Sequence, residues 1–252
     1  MLTEERYDHI RRKLAAEGRV VAAELALEFD ISEDTVRRDL RELARGGECR
    51  RVYGGALPPA PDLGSIAQRQ GALVESKLSL ARVVAGLVAP EQTLFVDAGS
   101  TNLAIALALP RDLAITVVTN APAIATALAD HPSCRTMVIG GQFNSDKGAC
   151  LGSHALRDIQ RVRADLLILG TCGVDPHVGV SALDAEEAEI KRAMVEQSRQ
   201  LVVPATVDKI GTTAPFDVAD TSRIDHLVVT KDADAAMIDT FRALGVTVHV
   251  AP

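Results

Sequence analysis

A short loop at residues 97–101 carries residue types that could hold an anionic ligand. The stretch around it, LFVDAGSTNLAIAL, combines an apolar strand, a turn of small and hydroxyl residues, and the start of a helix. Such a turn brings Gly99, Ser100 and Thr101 to the positive end of a helix dipole, where backbone N–H groups and hydroxyls could bind a phosphate. Asp97 would repel a phosphate, so we expect it to accept a hydrogen bond from a sugar hydroxyl or to brace the turn. The pattern also fits a purely structural turn, and the nucleotide motifs GxxxxGK and GxGxxG are absent.

A second set of residues could contact nucleic acid. Between residues 37 and 51 the chain carries six arginines and three acidic residues, although the whole protein has a net charge of −7. Arginine can form two hydrogen bonds to guanine or to a phosphate, so a block of arginine without lysine favours recognition over a merely soluble surface. The alternative is a solvated face in which the arginines pair with Asp39 and Glu42.

The elements around these arginines are typical of a winged helix-turn-helix. Residues 3–17 and 22–29 predict two helices, and a three-residue turn leads into a third helix over 32–45 with Ser32 as its N-cap. Apolar positions spaced four and three apart bury one face of this helix and leave its arginines exposed, as a recognition helix requires. The segment CRRVYGGAL then predicts a β-wing. The residues predicted to contact DNA are Ser32, Thr35, Arg37, Arg38, Arg41, Arg45, Arg50, Arg51 and Tyr53.

Proline and glycine mark a boundary after the wing. The stretch ALPPAPDLGS predicts a linker, which divides the chain into an N-terminal domain over 1–57, a linker over 58–70 and a second domain over 71–252. In the second domain, apolar strands alternate with helices, which predicts a parallel sheet covered on both faces. The predicted strands are 93–97, 114–120, 135–141, 165–170, 200–205, 226–231 and 246–251.

Composition narrows the classes of function. Hydrophobic residues make up 47% of the 252 residues, enough for a full core, whereas aromatic residues make up 3% and tryptophan is absent. The lack of aromatic clusters that could stack on bases disfavours single-stranded RNA as a partner. The four cysteines and six histidines have no metal-ligand spacing, so we expect reduced thiols, no metal and no cofactor. A charged N-terminus and the lack of a long apolar run predict a cytoplasmic protein without a membrane partner.

Several motifs together resemble the DeoR/GlpR family of bacterial transcription regulators. The run VAAELALEFDISEDTVRRDLRELARGGECRRVYGGA contains the family's S..TvRRDL..L pattern followed by R.hGGA, and VDAGST is similar to its D.GtT loop. The motifs VVTN, VIGG, LGTCGVD, EAEIKRAM and DKIG follow in the family's order and spacing, so the resemblance covers essentially the whole chain. Thr206 departs from the pattern, because the family usually carries an aspartate three residues before the lysine that is Lys209 here.

The resemblance implies a small N-terminal winged helix-turn-helix domain and an α/β effector-sensing domain similar to sugar-phosphate isomerases. Carried over residue by residue, it implies an effector cleft formed by Asp97, Gly99, Ser100, Thr101, Asn120, Gly141, Asp175, Glu187, Lys191 and Lys209. The residues themselves support these roles unevenly. Lys209 could face the phosphate loop, but Glu187 and Lys191, four apart on one helix, could equally form a surface pair. Asp175 could simply cap a turn.

The function that the resemblance implies is repression of a sugar-catabolic operon. The expected partners are double-stranded operator DNA and a phosphorylated sugar or related effector. Further copies of the chain, in a dimer or tetramer, are also expected because one winged helix reads only a short half-site. An alternative is a sugar-phosphate isomerase with a fused DNA-binding domain, in which Asp175 and Glu187 act as an acid/base pair. A DNA-reading domain on the same chain favours sensing, so we expect no enzymatic activity.

Overall fold

Three helices and a small antiparallel sheet form the N-terminal part of the protein. The computed structural model describes residues 2–61 and 64–252. The elements of the N-terminal part are α1 (Thr3–Glu17), β1 (Val20–Val21), α2 (Ala22–Phe29), α3 (Glu33–Arg45), β2 (Arg50–Val52) and β3 (Gly55–Leu57). Strand β3 lies between β1 and β2, and the β2–β3 hairpin turns at Tyr53 and Gly54. This is the winged helix-turn-helix that the sequence predicts.

Helix α3 is held by a cap and by one apolar face. The Ser32 hydroxyl accepts a hydrogen bond from the Thr35 backbone N–H at 3.2 Å, which satisfies a donor that has no partner within the helix. Val36, Leu40 and Leu43 are buried in one core with apolar residues of α1 and α2. The opposite face of α3 is therefore turned away from the domain.

A buried ion pair joins the first and third helices. Arg6 donates from Nε and Nη2 to the two carboxylate oxygens of Asp39, at 2.6 and 3.1 Å. Both side chains are almost fully buried. Asp39 is therefore engaged inside the domain and does not neutralise the exposed arginines of α3, whereas Glu42, the other acid of the solvated-face alternative, does pair with Arg45.

Asp39→Ala is expected to destabilise the N-terminal domain by about 2 kcal/mol, because it leaves the Arg6 guanidinium buried without its carboxylate. The matched control is Arg37→Ala, which removes an exposed ion pair of the same helix and should cost at most about 0.5 kcal/mol. Urea denaturation followed by tyrosine fluorescence measures both losses, since both tyrosines of the chain lie in this domain. Equal losses for the two variants would contradict the prediction.

The second part of the protein is an α/β domain. Its elements are α4 (Ile66–Gly71), α5 (Val74–Ala85), β4 (Thr93–Val96), α6 (Ser100–Ala108), β5 (Ile115–Thr119), α7 (Pro122–Ala127), β6 (Cys134–Val138), β7 (Gln142–Asn144), β8 (Ala149–Leu151), α8 (Gly152–Ile159), β9 (Ala164–Ile168), β10 (Gly173–Asp175), β11 (Gly179–Ala182), α9 (Ala185–Glu196), β12 (Ser198–Ala205), β13 (Phe216–Ala219), β14 (His226–Thr230), α10 (Ala235–Ala243) and β15 (Thr247–Ala251). Seven strands form one sheet in the order β15-β14-β12-β9-β4-β5-β6, and every neighbouring pair is parallel. These are the seven strands that the sequence predicts.

The order of the strands creates a crevice at one edge of this sheet. The chain runs from β4 outward to β5 and β6, and then returns to the other side of β4 as β9. At such a reversal the loops after two neighbouring strands diverge, and open α/β sheets bind ligands there, beyond the carboxyl ends of the strands. The loop predicted to hold a phosphate follows β4 and therefore lies at this reversal.

Two small sheets in the second domain were not predicted. Strand β11 pairs with both β10 and β13 in an antiparallel sheet, and β7 pairs with β8 in a hairpin. These strands have three or four residues each, too few to show an alternating pattern in the sequence. The β10–β11 turn reaches the N-terminal domain, where Arg19 Nη1 lies 3.1 Å from His177 Nε2.

The apolar core of the second domain lies on both faces of its large sheet. One cluster packs beneath α8, α9 and α10, and the other beneath α5, α6 and α7. The N-terminal domain has a separate core of its own. All four cysteines are free thiols. Within residues 2–61 and 64–252, no helix is both long and apolar enough to cross a membrane.

Candidate nucleic-acid interface and ligand cleft

The exposed face of α3 carries two arginines that form ion pairs and two that do not. Arg37 and Arg45 each form an ion pair at 2.6 Å with an acidic residue of the same helix. Arg38 and Arg41 are also exposed, and neither has an ion pair with any residue that the structure describes. These two guanidinium groups can therefore offer their donors to base edges or phosphates.

The first turn of α3 also brings two predicted residues together. The hydroxyls of Ser32 and Thr35 lie 2.9 Å apart, and both side chains remain at least partly exposed. In the helix-turn-helix fold the N-terminal residues of the recognition helix are the ones that reach into the major groove. Ser32 and Thr35 are therefore placed where contacts with DNA are expected.

The wing extends the same basic surface. Arg50 is partly exposed and Arg51 exposed on β2, and Tyr53 at the tip is fully exposed. The tight hairpin depends on glycine: Gly54 has a φ of 82°, and a Cβ on Gly55 would lie 1.9 Å from a carbonyl oxygen of β1. The wing thus presents a short basic strand with an aromatic tip.

The loop after β4 lines a small cavity at the carboxyl ends of the large sheet. Gly99 caps α6, and Ser100 and Thr101 form its first turn; all three line the cavity. The opposite wall is formed by residues 170–172 after β9 and by Lys209 after β12. The helix N-terminus, two hydroxyls and a lysine therefore meet at one point, which is the arrangement that binds phosphate groups.

A buried lysine of α9 holds the two central strand ends together. The Lys191 ammonium donates to Asp97 Oδ2 and to the Gly170 carbonyl oxygen, the latter at 2.8 Å, and lies 3.3 Å from Glu187 Oε1. Burial alone would lower the pKa of Lys191, but the charges of Asp97 and Glu187 outweigh it and hold that pKa above its ordinary value. Glu187 and Lys191 are therefore not an ordinary surface pair.

Asp97 braces the turn, as one of the two sequence alternatives states. Besides binding Lys191, its Oδ2 atom accepts a hydrogen bond from the Gly170 backbone N–H at 3.1 Å. A Cβ on Gly170 would lie 2.9 Å from the Ala98 carbonyl oxygen and 3.0 Å from Asp97 Oδ2, so glycine is required for this close approach. Asp97 shapes the cleft from behind the cavity wall.

Lys209 differs from Lys191 in the direction of its pKa shift. It ends a single 3₁₀ turn (Val207–Lys209) and has no ion pair within the described part of the chain. Burial lowers the pKa of its ammonium group, because little surrounding charge offsets the loss of water. Both carboxylate oxygens of the adjacent Asp208 are buried without a hydrogen-bond partner among the described residues. A ligand anion beside Lys209 would give its ammonium group an ion-pair partner.

Besides Asp97, three residues implied by the resemblance do not line this cavity. The Asn120 side chain donates to the Cys150 carbonyl oxygen at 3.2 Å, and a Cβ on Gly141 would lie 2.5 Å from a carbonyl oxygen of β8, so both serve packing around β8. Asp175 accepts hydrogen bonds from the backbone N–H groups of His177 and Val178 at 2.8 and 3.2 Å and therefore caps a turn. It faces the N-terminal domain instead, because β10 leaves the edge of the large sheet to join β11.

Sequence reasoning missed two basic residues of the cleft. Arg69 of α4 lines the cavity at the phosphate loop, and together with Lys147 it lines a second cavity that shares Glu187 and Lys209 with the first. Arg69 falls in the predicted linker, so nothing in its local pattern pointed to a site. Within the described residues, no group of three or more histidine, cysteine, aspartate or glutamate side chains could hold a metal ion.

Comparison with known proteins assigns both parts of the chain. Residues 6–60 match the DeoR-like helix-turn-helix domain, and residues 73–231 match the DeoR C-terminal sensor domain. The glycerol-3-phosphate regulon repressor of Escherichia coli K12 is 32% identical over 222 residues, 88% of each chain. The putative aga operon transcriptional repressor of Escherichia coli O157:H7 is 28% identical over 250 residues, 98% of this chain and 93% of that protein.

Among solved structures, ribose 5-phosphate isomerase A from Methanocaldococcus jannaschii superposes with a TM-score of 0.39 and 11% identity over 53% of each chain. That likeness is too distant to say anything about chemistry. The matches to two domain families and to full-length relatives agree with the winged helix and the parallel α/β domain described above. The chain belongs to the DeoR family of DNA-binding transcriptional regulators.

Proposed function

We propose that this protein represses a sugar-catabolic operon and leaves its operator when a phosphorylated sugar or a related metabolite binds the cleft after β4. The observation that carries this proposal is the convergence of the α6 N-terminus and the unpaired Lys209 on one cavity. Both are suited to a phosphate, and both lie at the strand reversal where α/β sheets bind ligands. The names of the two relatives agree with repression, and one of them names a phosphorylated metabolite, glycerol 3-phosphate.

Operator binding is assigned to α3 and the wing. Arg38 and Arg41 lie opposite the buried face of α3 and have no acidic partner within the described residues. A recognition helix needs such a face to enter the major groove, while basic residues on a wing contact the phosphate backbone. One domain reads only a short half-site, so we expect two or more copies of the chain to act on one operator.

The isomerase alternative loses its proposed acid/base pair. Asp175 and Glu187 line different cavities, one beside the N-terminal domain and one beside the phosphate loop. Burial would raise the pKa of Glu187, but Lys191 and Lys147 outweigh that effect and lower the pKa, which keeps the carboxylate charged. A general base needs a pKa near the working pH. The lowered pKa of Glu187 therefore makes this carboxylate a poor general base.

The proposal is tested with DNA selected by the protein from a random pool. The shift of that DNA should be reversed by one or a few members of a panel of pentose, hexose and glycerol phosphates, and by none of the corresponding free sugars. The same mixtures are assayed for aldose–ketose conversion, which should be absent. Turnover of a sugar phosphate would support the isomerase, and selection of no DNA sequence at all would overturn the proposed repressor.

A further inference from the structure

Helix α4 lies on the connection between the two domains and covers the ligand cleft. The chain leaves the wing at β3, and Pro58 and Ala60 form backbone hydrogen bonds with Thr213 of the sensor domain at 3.2 and 2.8 Å. It then reaches α4, whose Ser65 cap accepts a hydrogen bond from Gln68 N–H at 3.5 Å. The described residues of this connection therefore lie beside the cleft, since Pro61, Gly64 and Arg69 line its second cavity.

Few hydrogen bonds join α4 to the second domain among the residues that the structure describes. The Ile66 backbone N–H donates to the Asp146 carbonyl oxygen at 2.7 Å, and the Lys77 ammonium donates to the carbonyl oxygens of Arg69 and Ala72. No residue of α4 is fully buried. A six-residue helix with so little buried surface can open at low cost, which is the property expected of a cover.

Two cations at the cleft have no ion pair with any residue that the structure describes. Four basic residues and one acidic residue line the two adjoining cavities: Arg69, Lys147, Lys191, Lys209 and Glu187. Asp97 and Glu187 pair with Lys191, and Glu187 also lies 3.7 Å from Lys147. Arg69 and Lys209 have no ion pair within residues 2–61 and 64–252, and the Nε atom of Arg69 is buried without a hydrogen-bond partner there.

The two cavities at the cleft are too small for a sugar phosphate. The two cavities have volumes of about 20 and 40 Å³, enough for a few water molecules. A sugar phosphate is larger, so part of the cavity wall must move to admit it, and α4, which has no fully buried residue, is a wall segment that can do so. An anion placed there would also remove the repulsion between Arg69 and Lys209.

We propose that Arg69 binds the anionic group of the ligand directly, so that occupation of the cleft is passed to the interdomain connection through α4. The assignment rests on the proposed function, because it takes the phosphate cleft as given and adds the residue that reports its occupation. A ligand that binds Arg69 fixes the position of α4. The segment between α4 and the wing then shifts together with α4. Such a link satisfies the requirement that ligand and DNA affect each other's affinity equally.

The test uses the full chain with inorganic phosphate as the probe and chloride as the control anion. Arg69→Met should weaken phosphate binding about tenfold or more, and Arg69→Lys, which keeps the charge without the planar fork, should lose less. Gln70→Met, an exposed change on the same helix, should bind like wild type. Hydrogen exchange measures the coupling: phosphate should slow exchange of residues 66–72 in wild type and in Gln70→Met, and leave it unchanged in Arg69→Met.

The outcomes separate this assignment from the proposed function. If wild type and Arg69→Met bind phosphate equally, or if phosphate leaves exchange of residues 66–72 unchanged in wild type, the role of Arg69 is overturned while the cleft stands. If wild type fails to bind phosphate at all, the cleft is not a phosphate site, and the proposed ligand class falls together with the assignment. Loss of binding confined to the Arg69 variants, with wild-type thermal stability, supports it.

Discussion

Arg38→Ala is expected to lower the preference of the protein for its operator over unrelated DNA by between about 5-fold and 150-fold. The reason is that an arginine bonded to the edge of a guanine contributes roughly 1–3 kcal/mol of discrimination against other bases. Arg38 is exposed on α3 opposite the buried face and has no ion pair within the described residues. Arg41→Ala should behave similarly, because its position one turn further along the same face is equivalent.

Two control variants separate base recognition from charge. Arg37→Ala removes an arginine of the same helix that is already paired with Glu33 at 2.6 Å, so its effect on specificity should be small. Arg51→Ala, on the wing, should weaken binding to all sequences about equally and reduce the slope of log affinity against log salt by about one. Quantitative shift titrations at several salt concentrations measure these quantities. Wild-type specificity in both Arg38→Ala and Arg41→Ala would contradict the assignment of α3 as the recognition helix.

The large elements of the fold could be predicted because their signals are local. Each central strand is an apolar run bounded by turn residues, and α3 carries its own cap at Ser32 and a buried stripe at the correct spacing. The two small sheets carry no such signal. Their strands have only three or four residues each, and one of their pairings, that of β11 with β13, joins segments more than 30 residues apart in the chain.

The candidate site likewise contains residues that the sequence could predict and residues that it could not. The 97–101 loop was predictable because strand, turn and helix are adjacent in the sequence. Arg69 was not predictable, because it belongs to a segment that the sequence assigns to the linker. Only the folding of that segment back over the sheet brings Arg69 to the same cavity as Ser100. Asp175 shows the converse: its order in the chain matched the family, but its strand turns away and the side chain caps a turn, as the simpler sequence alternative states.

The phosphate loop and the DNA-binding face are on separate domains, so a change in one can be tested through the other. A metabolite can release the operator only if it binds the DNA-free form more tightly than the DNA-bound form. A variant that cannot bind the metabolite should therefore keep its operator affinity and lose release alone. Because Ser100 is buried at the head of α6 in the second domain, whereas the arginines of α3 belong to the N-terminal domain, it is a suitable position for such a variant.

Lys209 provides a check on the same ligand group through pH. Burial lowers its pKa below the ordinary value, and a bound phosphate should raise that pKa again. Binding then takes up a proton near and above the lowered pKa, so affinity for the metabolite should fall as pH rises through it. Calorimetry in buffers of different ionisation enthalpy measures this uptake, which Lys209→Met should abolish along with most of the affinity.

Ser100→Asp is expected to abolish release of the operator by the inducing sugar phosphate, with a loss of affinity of about 100-fold or more, since juxtaposed like charges cost several kcal/mol. The variant should fold, because an acidic residue is favourable in the first turn of a helix. It should also bind the operator like wild type. Ser100→Ala, which removes the hydroxyl without adding charge, is the matched control and should lose about 5-fold. Shift titrations of all three proteins with the sugar phosphate measure release, and normal release of Ser100→Asp would show that the 97–101 loop is only a turn.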